Sequence, residues 1–213
     1  MNYEITMIGD FQCPYCYMGK LLVDGLKKEY AIKTKFMGFE IHPKIPARGL
    51  DADEYFNDIE GLEKQAKSFA DKYNVVLNQN SKISNTNKAL QIAEYAKEVG
   101  KSDEYNTAMY NAVYVDAINI SKVDEIKKIA ANVGISPKEV EEVLFGDKYR
   151  HILEDNNRFC ARHNFTSVPV FIINEKIAIV GLQPIEAFKD AFKKLENAKD
   201  AENTEDAEDV KDV

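Results

Sequence analysis

Two cysteines near the start of the chain are the side chains best suited to chemistry. Cys13 and Cys16 stand two residues apart in the stretch DFQCPYCYMGK, with Pro14 and Tyr15 between them. A pair at this spacing can be half of a zinc site, a structural disulfide or a redox-active dithiol. The 213 residues hold three cysteines, the third being Cys160, and so small and odd a number argues against a disulfide-stapled scaffold.

The elements around the pair favour redox chemistry. Residues 3–9 predict a strand, and residues 14–30, with apolar side chains every three or four positions, predict an amphipathic helix. Free N–H groups and the helix dipole at such a helix start stabilise a thiolate and lower the pKa of a cysteine. We therefore expect Cys13 to be the exposed, acidic thiol and Cys16, one turn on, to be the shielded, resolving thiol.

The rest of the chain predicts a sheet domain with a helical insertion. A strand at 31–39 precedes about a hundred residues of helical pattern. Helices are predicted near 52–59, 61–73, 84–99, 102–116, 122–132, 137–145 and 148–163, with capping boxes formed by Ser121 with Asp124 and by Ser136 with Glu139. The stretches 168–174 and 176–181 then predict a β-hairpin before a last amphipathic helix. We predict an α/β fold with an inserted all-helical domain. The boundaries are 1–45 and 151–196 for the two parts of the sheet domain, 46–150 for the insertion and 197–213 for an acidic, disordered tail.

Charge and hydropathy argue against binding to nucleic acid and against insertion into a membrane. The net charge is −8, of which the tail carries −5, so no basic face for nucleic acid is expected. The sequence contains no run of 18 apolar residues, so we expect no membrane span. The start MNYEITMIGDF lacks the features of a signal peptide, so we expect a cytoplasmic protein.

A proline at the start of the third predicted strand is a second sign of redox function. Pro169 in TSVPVFIIN stands where a strand tolerates proline. With DFQCPYCYMGK, FEIHPKIPARG and the GLQP at 181–184, this stretch resembles the DsbA-like branch of the thioredoxin-fold superfamily. Within that branch the chain is similar to the FrnE-like dithiol–disulfide oxidoreductases. The resemblance extends over residues 3 to about 195 and implies a thioredoxin-like fold.

The resemblance also implies roles for individual residues. Cys13 would be the nucleophile, Cys16 the resolving thiol, and Pro169 a cis proline beside them. The backbone of Val168 would pair with an extended substrate peptide. Two further residues, Pro14 and Tyr15, would tune the reactivity of the pair.

The implied activity is disulfide exchange with protein or small-molecule thiols and disulfides. In a reducing cytoplasm, a reductase or isomerase is more plausible than an oxidase. No metal or organic cofactor is implied, and glutathione is a candidate redox partner.

Three alternatives stay open. Cys160 and His163 form a C-x-x-H pair that could complete a Cys3His zinc site with the first two cysteines. The same inserted architecture occurs in glutathione-dependent 2-hydroxychromene-2-carboxylate isomerases and kappa-class glutathione transferases, which carry a serine where this chain has Cys13. A plain binding or chaperone role is the third.

Single polar residues near the motifs have open roles. Asp10 either caps the helix or raises the pKa of the thiol and accepts its proton, and Glu40 has the same ambiguity. His42 is unusual, because a small amide is expected there. We expect Cys160 to be a half-buried, inert helix cysteine.

Overall fold

The computed structural model describes residues 2–78 and 82–209. The strands in these residues are β1 (Tyr3–Gly9), β2 (Ile32–Gly38), β3 (Leu50–Asp51), β4 (Lys82–Ile83), β5 (Val170–Ile173) and β6 (Ile177–Val180). The helices are α1 (Pro14–Leu26), α2 (Ala52–Tyr55), α3 (Ile59–Lys72), α4 (Asn87–Glu98), α5 (Ser102–Tyr114), α6 (Val123–Asn132), α7 (Pro137–Phe145), α8 (Lys148–Arg162) and α9 (Ile185–Asp209).

Four strands form the central sheet, in the order β2-β1-β5-β6. The pair β1 and β2 is parallel, with Gly9 opposite Gly38, and α1 is the crossover between them. Strand β5 runs antiparallel to β1, with Ile8 opposite Val170, and β6 runs antiparallel to β5. Asn174 makes the hairpin turn with a positive φ of 48°. This sheet, with α1 between β1 and β2 and α9 after β6, is the predicted thioredoxin-like fold.

The helical segment between β2 and β5 packs against the sheet through one shared core. A single buried cluster joins Ile5 of β1, Leu90 of α4 and Phe188 of α9. Buried Glu94 also ties the two parts together, because it accepts hydrogen bonds from the Gly38 N–H and the Asn156 amide, both at 3.0 Å. The division at residues 45 and 150 stays a prediction.

Most predicted elements are confirmed, with four differences. The helix expected at 52–59 ends at Tyr55, because the Asp58 side chain accepts from the Gly61 N–H at 2.9 Å and caps a new helix. The short strands β3 and β4, paired through Leu50 and Ile83, are not predicted. Ser136 and Glu139 form the expected capping box, whereas Ser121 does not cap α6.

The fourth difference concerns the acidic tail. The sequence predicts disorder from residue 197, whereas α9 continues to Asp209. Alanine and glutamate, both strong helix formers, recur in this segment and account for the helix. Residues 210–213 of the predicted tail lie outside the described residues.

A helix must be both long and apolar to cross a membrane. Within residues 2–78 and 82–209, no helix combines the length and the apolar character needed to cross a bilayer.

Candidate active site

The turn from β1 to α1 holds both cysteines of the pair. Cys13 is the N-cap residue of α1 and Pro14 begins the helix. The Cys13 carbonyl accepts from the N–H groups of Cys16 (3.0 Å) and Tyr17 (3.3 Å), and its own N–H donates to the Asp10 carbonyl at 3.1 Å. Both thiols therefore lie in the first helical turn, as predicted from the sequence.

The expected exposure of Cys13 is wrong. Cys13 is 5% exposed and Cys16 is fully buried. The carbonyl oxygen of Val168 lies 3.7 Å from Cys13 Sγ and occupies space in which the sequence predicts solvent. Cys13 nevertheless lines a cavity and Cys16 does not. Of the two thiols, Cys13 is therefore the one that borders the cavity.

Cys16 is held as a neutral thiol. Burial raises the pKa of the Cys16 thiol well above its usual range, and the neighbouring Cys13 raises it further. A hydrogen bond from the Asp10 backbone opposes part of this rise. Gly9 leaves room for the sulfur, since an added methyl group would lie 3.3 Å from Cys16 Sγ and 3.2 Å from the Tyr110 hydroxyl oxygen.

Asp10 is a fully buried acid beneath this turn. Its Oδ1 accepts from the Gln12 N–H at 3.0 Å and its Oδ2 from the Ile41 N–H at 2.8 Å. The carboxyl thus fixes the loop after β2 and does not cap α1. Burial raises the pKa of Asp10 to about 6, and these two hydrogen bonds offset part of the lost hydration. An acid with such a pKa can exchange a proton near neutral pH.

The Val168–Pro169 loop faces the thiol across the site. The peptide bond between these residues is cis, as the resemblance implies. The Pro169 carbonyl accepts from the Gly181 N–H at 2.8 Å, which holds the start of the hairpin in place. The carbonyl oxygen of Val168 lies against Cys13, 3.7 Å from its sulfur.

A cavity of about 460 Å³ opens beside Cys13. Thr166, Ser167 and Leu62 are exposed at its rim, so the cavity is open to solvent. The predicted site residues Pro14, Tyr15 and Val168 line this cavity together with Cys13, whereas Pro169 does not line it. The lining residues are Gln12, Cys13, Pro14, Tyr15, Ile41, His42, Ala52, Phe56, Ile59, Leu62, Glu63, Ala66, Leu77, Asn78, Lys82, Ile83, Val113, Tyr114, Thr166, Ser167 and Val168.

Three stacked tyrosines surround the buried side of the pair and are not predicted from the sequence. The ring of Tyr17 lies 5.9 Å from that of Tyr110 and 5.3 Å from that of Tyr114. The Tyr110 hydroxyl donates to the Asp10 carbonyl at 3.4 Å, and Tyr114 lines the cavity. The spacing of four between Tyr110 and Tyr114 places them on one helix face, but nothing local links them to a motif about a hundred residues earlier.

His42 and Glu40, in the loop after β2, differ in their access to the cavity. His42 lines it, with its ring 5.2 Å from that of Tyr55 and 5.4 Å from that of Phe56, and burial lowers the pKa of its imidazole. Glu40 accepts a hydrogen bond from the Asn87 amide at 3.0 Å and is absent from the lining. His42 is therefore a neutral wall residue, and Glu40 holds α4.

Cys160 lies away from the pair, in a second small core with Ile8 and Val170. It is fully rather than half buried, at 1% exposure, and burial raises the pKa of its thiol to about 11. In the part of the chain that the structure describes, no three His, Cys, Asp or Glu side chains are grouped so that they could hold a metal ion. The Cys3His set of the zinc alternative is not assembled.

Known proteins are similar to this chain in sequence and in fold. The chain is 28% identical over 201 residues to the protein named uncharacterized protein YwbO of Bacillus subtilis, covering 91% of this chain and 96% of the other. It superposes with a TM-score of 0.80 on the probable DsbA oxidoreductase SCO1869 of Streptomyces coelicolor, at 19% identity, covering 91% and 89% of the two chains.

Two further solved structures share the fold. A 2-hydroxychromene-2-carboxylate isomerase superposes with a TM-score of 0.77 at 14% identity, covering 92% of this chain and 98% of the other. The cytosolic disulfide reductase DsbM of Pseudomonas aeruginosa superposes with a TM-score of 0.67 at 15% identity, covering 90% of this chain and 99% of the other. That reductase is also solved with glutathione. A family model, described as DSBA-like thioredoxin domain, matches residues 4–193. Because the match takes in nearly the whole chain, the chain belongs to the DSBA-like thioredoxin domain family.

Proposed function

We propose that the chain is a thiol–disulfide oxidoreductase that acts on protein or small-molecule disulfides through Cys13 and Cys16. The observation that carries the proposal is the asymmetry of the pair: Cys13 lines an open cavity beside the Val168 carbonyl, and Cys16 is fully buried behind it. A reachable thiol backed by a shielded one is what sequential attack and resolution require. The family assignment supports the same chemistry.

The exchange would proceed in two balanced steps. The Cys13 thiolate attacks one sulfur of the substrate disulfide, so that a Cys13–substrate bond forms and the substrate S–S bond breaks, its electron pair leaving on the second sulfur. Cys16 then loses its proton and attacks the Cys13 sulfur, which releases the first substrate sulfur as a thiol. The substrate gains two electrons and two protons, and the cysteine pair becomes a disulfide.

Asp10 would serve the second step. Cys16 has a raised pKa, chiefly because of burial, so it needs a nearby group to take its proton. Asp10, fully buried and with a pKa of about 6, is ionised at pH 7 and can accept that proton, directly or through a water molecule. Asp10 is close to the Cys16 thiol, because its backbone N–H donates a hydrogen bond to the Cys16 sulfur and its charge acts on the pKa of that thiol.

The direction and location of the reaction belong to the same proposal. We assign reduction or isomerisation in the cytoplasm, because a reducing compartment keeps the pair as a dithiol. The structural neighbour named a cytosolic disulfide reductase supports this assignment, and the glutathione bound to that neighbour supports glutathione as the reductant that regenerates the pair. The resemblance to the FrnE-like dithiol–disulfide oxidoreductases is consistent with it.

A second candidate is a glutathione-dependent isomerase of the 2-hydroxychromene-2-carboxylate type. It is favoured by the shared fold and by the largely apolar cavity. The intact cysteine pair opposes it, since the resemblance implies a serine in those enzymes where this chain has Cys13. The oxidoreductase is therefore the better supported of the two.

Insulin-disulfide reduction with glutathione tests the proposal. We expect the wild type to be active, Cys13→Ser to be inactive, and Cys160→Ala, which alters a cysteine outside the cavity, to keep the activity. A wild type that leaves insulin intact but isomerises 2-hydroxychromene-2-carboxylate with glutathione would establish the second candidate instead.

A further inference from the structure

Gln12, the residue directly before Cys13, is held at two points. Its backbone N–H donates to Asp10 Oδ1 at 3.0 Å, and its side-chain Oε1 accepts from the Ser84 N–H at 2.8 Å. Because an N–H group needs an acceptor, the second contact fixes the oxygen as the end of the amide that faces Ser84. The NH2 group of the same amide is therefore directed away from Ser84.

The NH2 group of Gln12 is accessible and has no partner. Within residues 2–78 and 82–209, no hydrogen-bond acceptor is paired with its nitrogen. In the same residues, the buried side-chain N and O atoms without a partner are Asn106 Oδ1 and the Tyr114 hydroxyl oxygen, so the Gln12 nitrogen is not one of them. Gln12 is half-buried and lines the cavity beside Cys13. Its two N–H donors are therefore available to a molecule in that cavity.

The lining of the cavity offers little positive charge to an anion. Glu63 and Lys82 are the charged residues in the described lining, and Lys82 is paired with Asp51 at 2.7 Å. Burial lowers the pKa of His42, so this side chain is neutral at neutral pH. A sulfur anion among mainly apolar walls is costly unless a hydrogen-bond donor faces it. A thiolate that forms here therefore depends on neutral donors.

We propose that the Gln12 amide donates a hydrogen bond to the sulfur that leaves when Cys13 attacks a substrate disulfide. This inference rests on the proposed function. In that step the bond from Cys13 to the substrate forms and the substrate S–S bond breaks. Its electron pair stays on the leaving sulfur, which is a thiolate until it takes a proton from water.

The timing of the charge explains why such a donor accelerates the reaction. The leaving sulfur is neutral in the intact disulfide and becomes negative only as the S–S bond breaks. A donor that is already held in place therefore stabilises the transition state more than the ground state. Gln12 is the catalytic residue in this inference, and the Ser84 N–H positions its amide.

Two uncharged disulfides with different leaving groups test the inference. The ring of dipyridyl disulfide stabilises the departing sulfur, whereas 2-hydroxyethyl disulfide releases an alkyl thiolate that keeps its charge on sulfur. Each is mixed in excess with the reduced protein at neutral pH, and the rate constant for loss of the Cys13 thiol is measured by acid quenching, alkylation and mass spectrometry. The readout is the dipyridyl rate constant divided by the hydroxyethyl rate constant. A change in Cys13 itself acts on both reactions and cancels in this ratio.

Gln12→Glu separates the amide donor from the contact with Ser84. Its carboxylate can still accept from the Ser84 N–H, but it has no N–H to donate and repels a leaving thiolate. We expect the ratio to rise at least about tenfold, the effect of one hydrogen bond to a charged group, while the Tm stays near that of the wild type. Gln12→Ala loses both contacts, so it should raise the ratio and also lower the Tm.

Gln65→Glu is the matched control. Gln65 is an exposed residue of α3 and does not line the cavity, so this variant adds the same charge without removing the donor. Its ratio should equal that of the wild type.

Each contrary outcome has a distinct meaning. An unchanged ratio in both Gln12 variants would overturn the inference even if both rates fall, because a purely structural role slows the two reactions alike. A rise in Gln12→Ala alone would trace the effect to the lost contact with Ser84, and a rise in Gln12→Glu alone, or an equal rise in Gln65→Glu, would trace it to added charge. Either result would overturn the amide donor. A wild type in which Cys13 and Cys16 never join into a disulfide after the reaction would overturn the proposed function itself.

Discussion

The Cys13 sulfur lies 3.7 Å from the carbonyl oxygen of Val168, although 155 residues separate them in the sequence. Two connections create this contact. Strand β1 leads directly into the turn that holds Cys13, and the antiparallel pairing of β1 with β5 places Val170 opposite Ile8. Under the proposed function, a substrate sulfur at Cys13 would lie beside the Val168 backbone, where the sequence predicts that an extended peptide pairs.

The first prediction concerns trapping of the mixed disulfide. In Cys16→Ser the Cys13–substrate bond cannot be resolved, so incubation with insulin should leave a stable adduct at Cys13. We expect at least about ten times more adduct than in the wild type, measured by mass spectrometry of the non-reduced peptides. Cys13→Ser is the matched variant. Trapping at Cys16 in that variant would contradict the assignment, because Cys16 is fully buried.

The second prediction concerns alkylation of the reduced native protein. Iodoacetamide should modify Cys13 first, because Cys13 alone of the three cysteines lines the cavity. Burial raises the pKa of Cys16 well above its usual range and that of Cys160 to about 11, so both should react slowly until the protein unfolds. Peptide mapping after timed quenching measures the order. Equal labelling of Cys16 and Cys13 would contradict the described burial.

The third prediction is a pH dependence of stability due to Asp10. Burial raises the pKa of Asp10 from 3.8 to about 6 in the folded chain. Between these values the folded state binds more protons than the unfolded state, so the free energy of unfolding falls as the pH rises. The loss is on the order of 3 kcal/mol and is complete above pH 6. Well below pH 3.8 the Asp10 carboxyl is protonated in both states, and it no longer makes the free energy of unfolding depend on pH.

Asp10→Asn isolates this effect. The variant loses a hydrogen bond to either Gln12 or Ile41, a loss that does not vary with pH. Its free energy of unfolding relative to the wild type should therefore increase by roughly 2–3 kcal/mol between pH 4 and pH 8. Urea unfolding of the reduced proteins across this range measures the difference. A constant offset between the two curves would show that Asp10 has an ordinary pKa.

The fourth prediction compares two glycines of the helix that carries the pair. A methyl group on Gly19 would lie 2.6 Å from the ring of Phe171, whereas one on Gly25 would meet nothing within 4 Å. Gly19→Ala should therefore destabilise the fold by about 1–3 kcal/mol through overpacking. Gly25→Ala should stabilise it by about 0.5–1 kcal/mol, because alanine is the better helix former. Urea unfolding of both variants checks the opposite signs.

The sequence is sufficient for those parts of the fold that depend on local pattern. Strand β1, helix α1 and the hairpin after Pro169 follow from periodicity and turn residues, and the cysteine pair marks the helix start. The Ser121 capping box is a wrong prediction for a reason outside the local pattern. The Ser121 hydroxyl accepts from the Asn85 N–H at 2.8 Å, a contact across 36 residues, and so is not available to α6.

Long-range packing explains what the sequence could not show at the site. The burial of Cys13 depends on the Val168 carbonyl, and the cavity depends on α3 approaching α1, where the Phe69 ring lies 5.6 Å from that of Tyr15. Tyr114 becomes a site residue because α5 packs against α1, where the Tyr114 ring stacks on that of Tyr17. No spacing within one segment encodes such contacts.

Redox equilibration with glutathione tests the central claim most directly. The protein is incubated at a series of ratios of glutathione to glutathione disulfide, quenched with acid, alkylated in denaturant and mapped by mass spectrometry. We expect one two-electron transition in which the Cys13 and Cys16 thiols disappear together into one disulfide, while Cys160 stays a thiol. Persistence of both thiols at every ratio, or a glutathione adduct on Cys13 that never resolves to the internal disulfide, would contradict it.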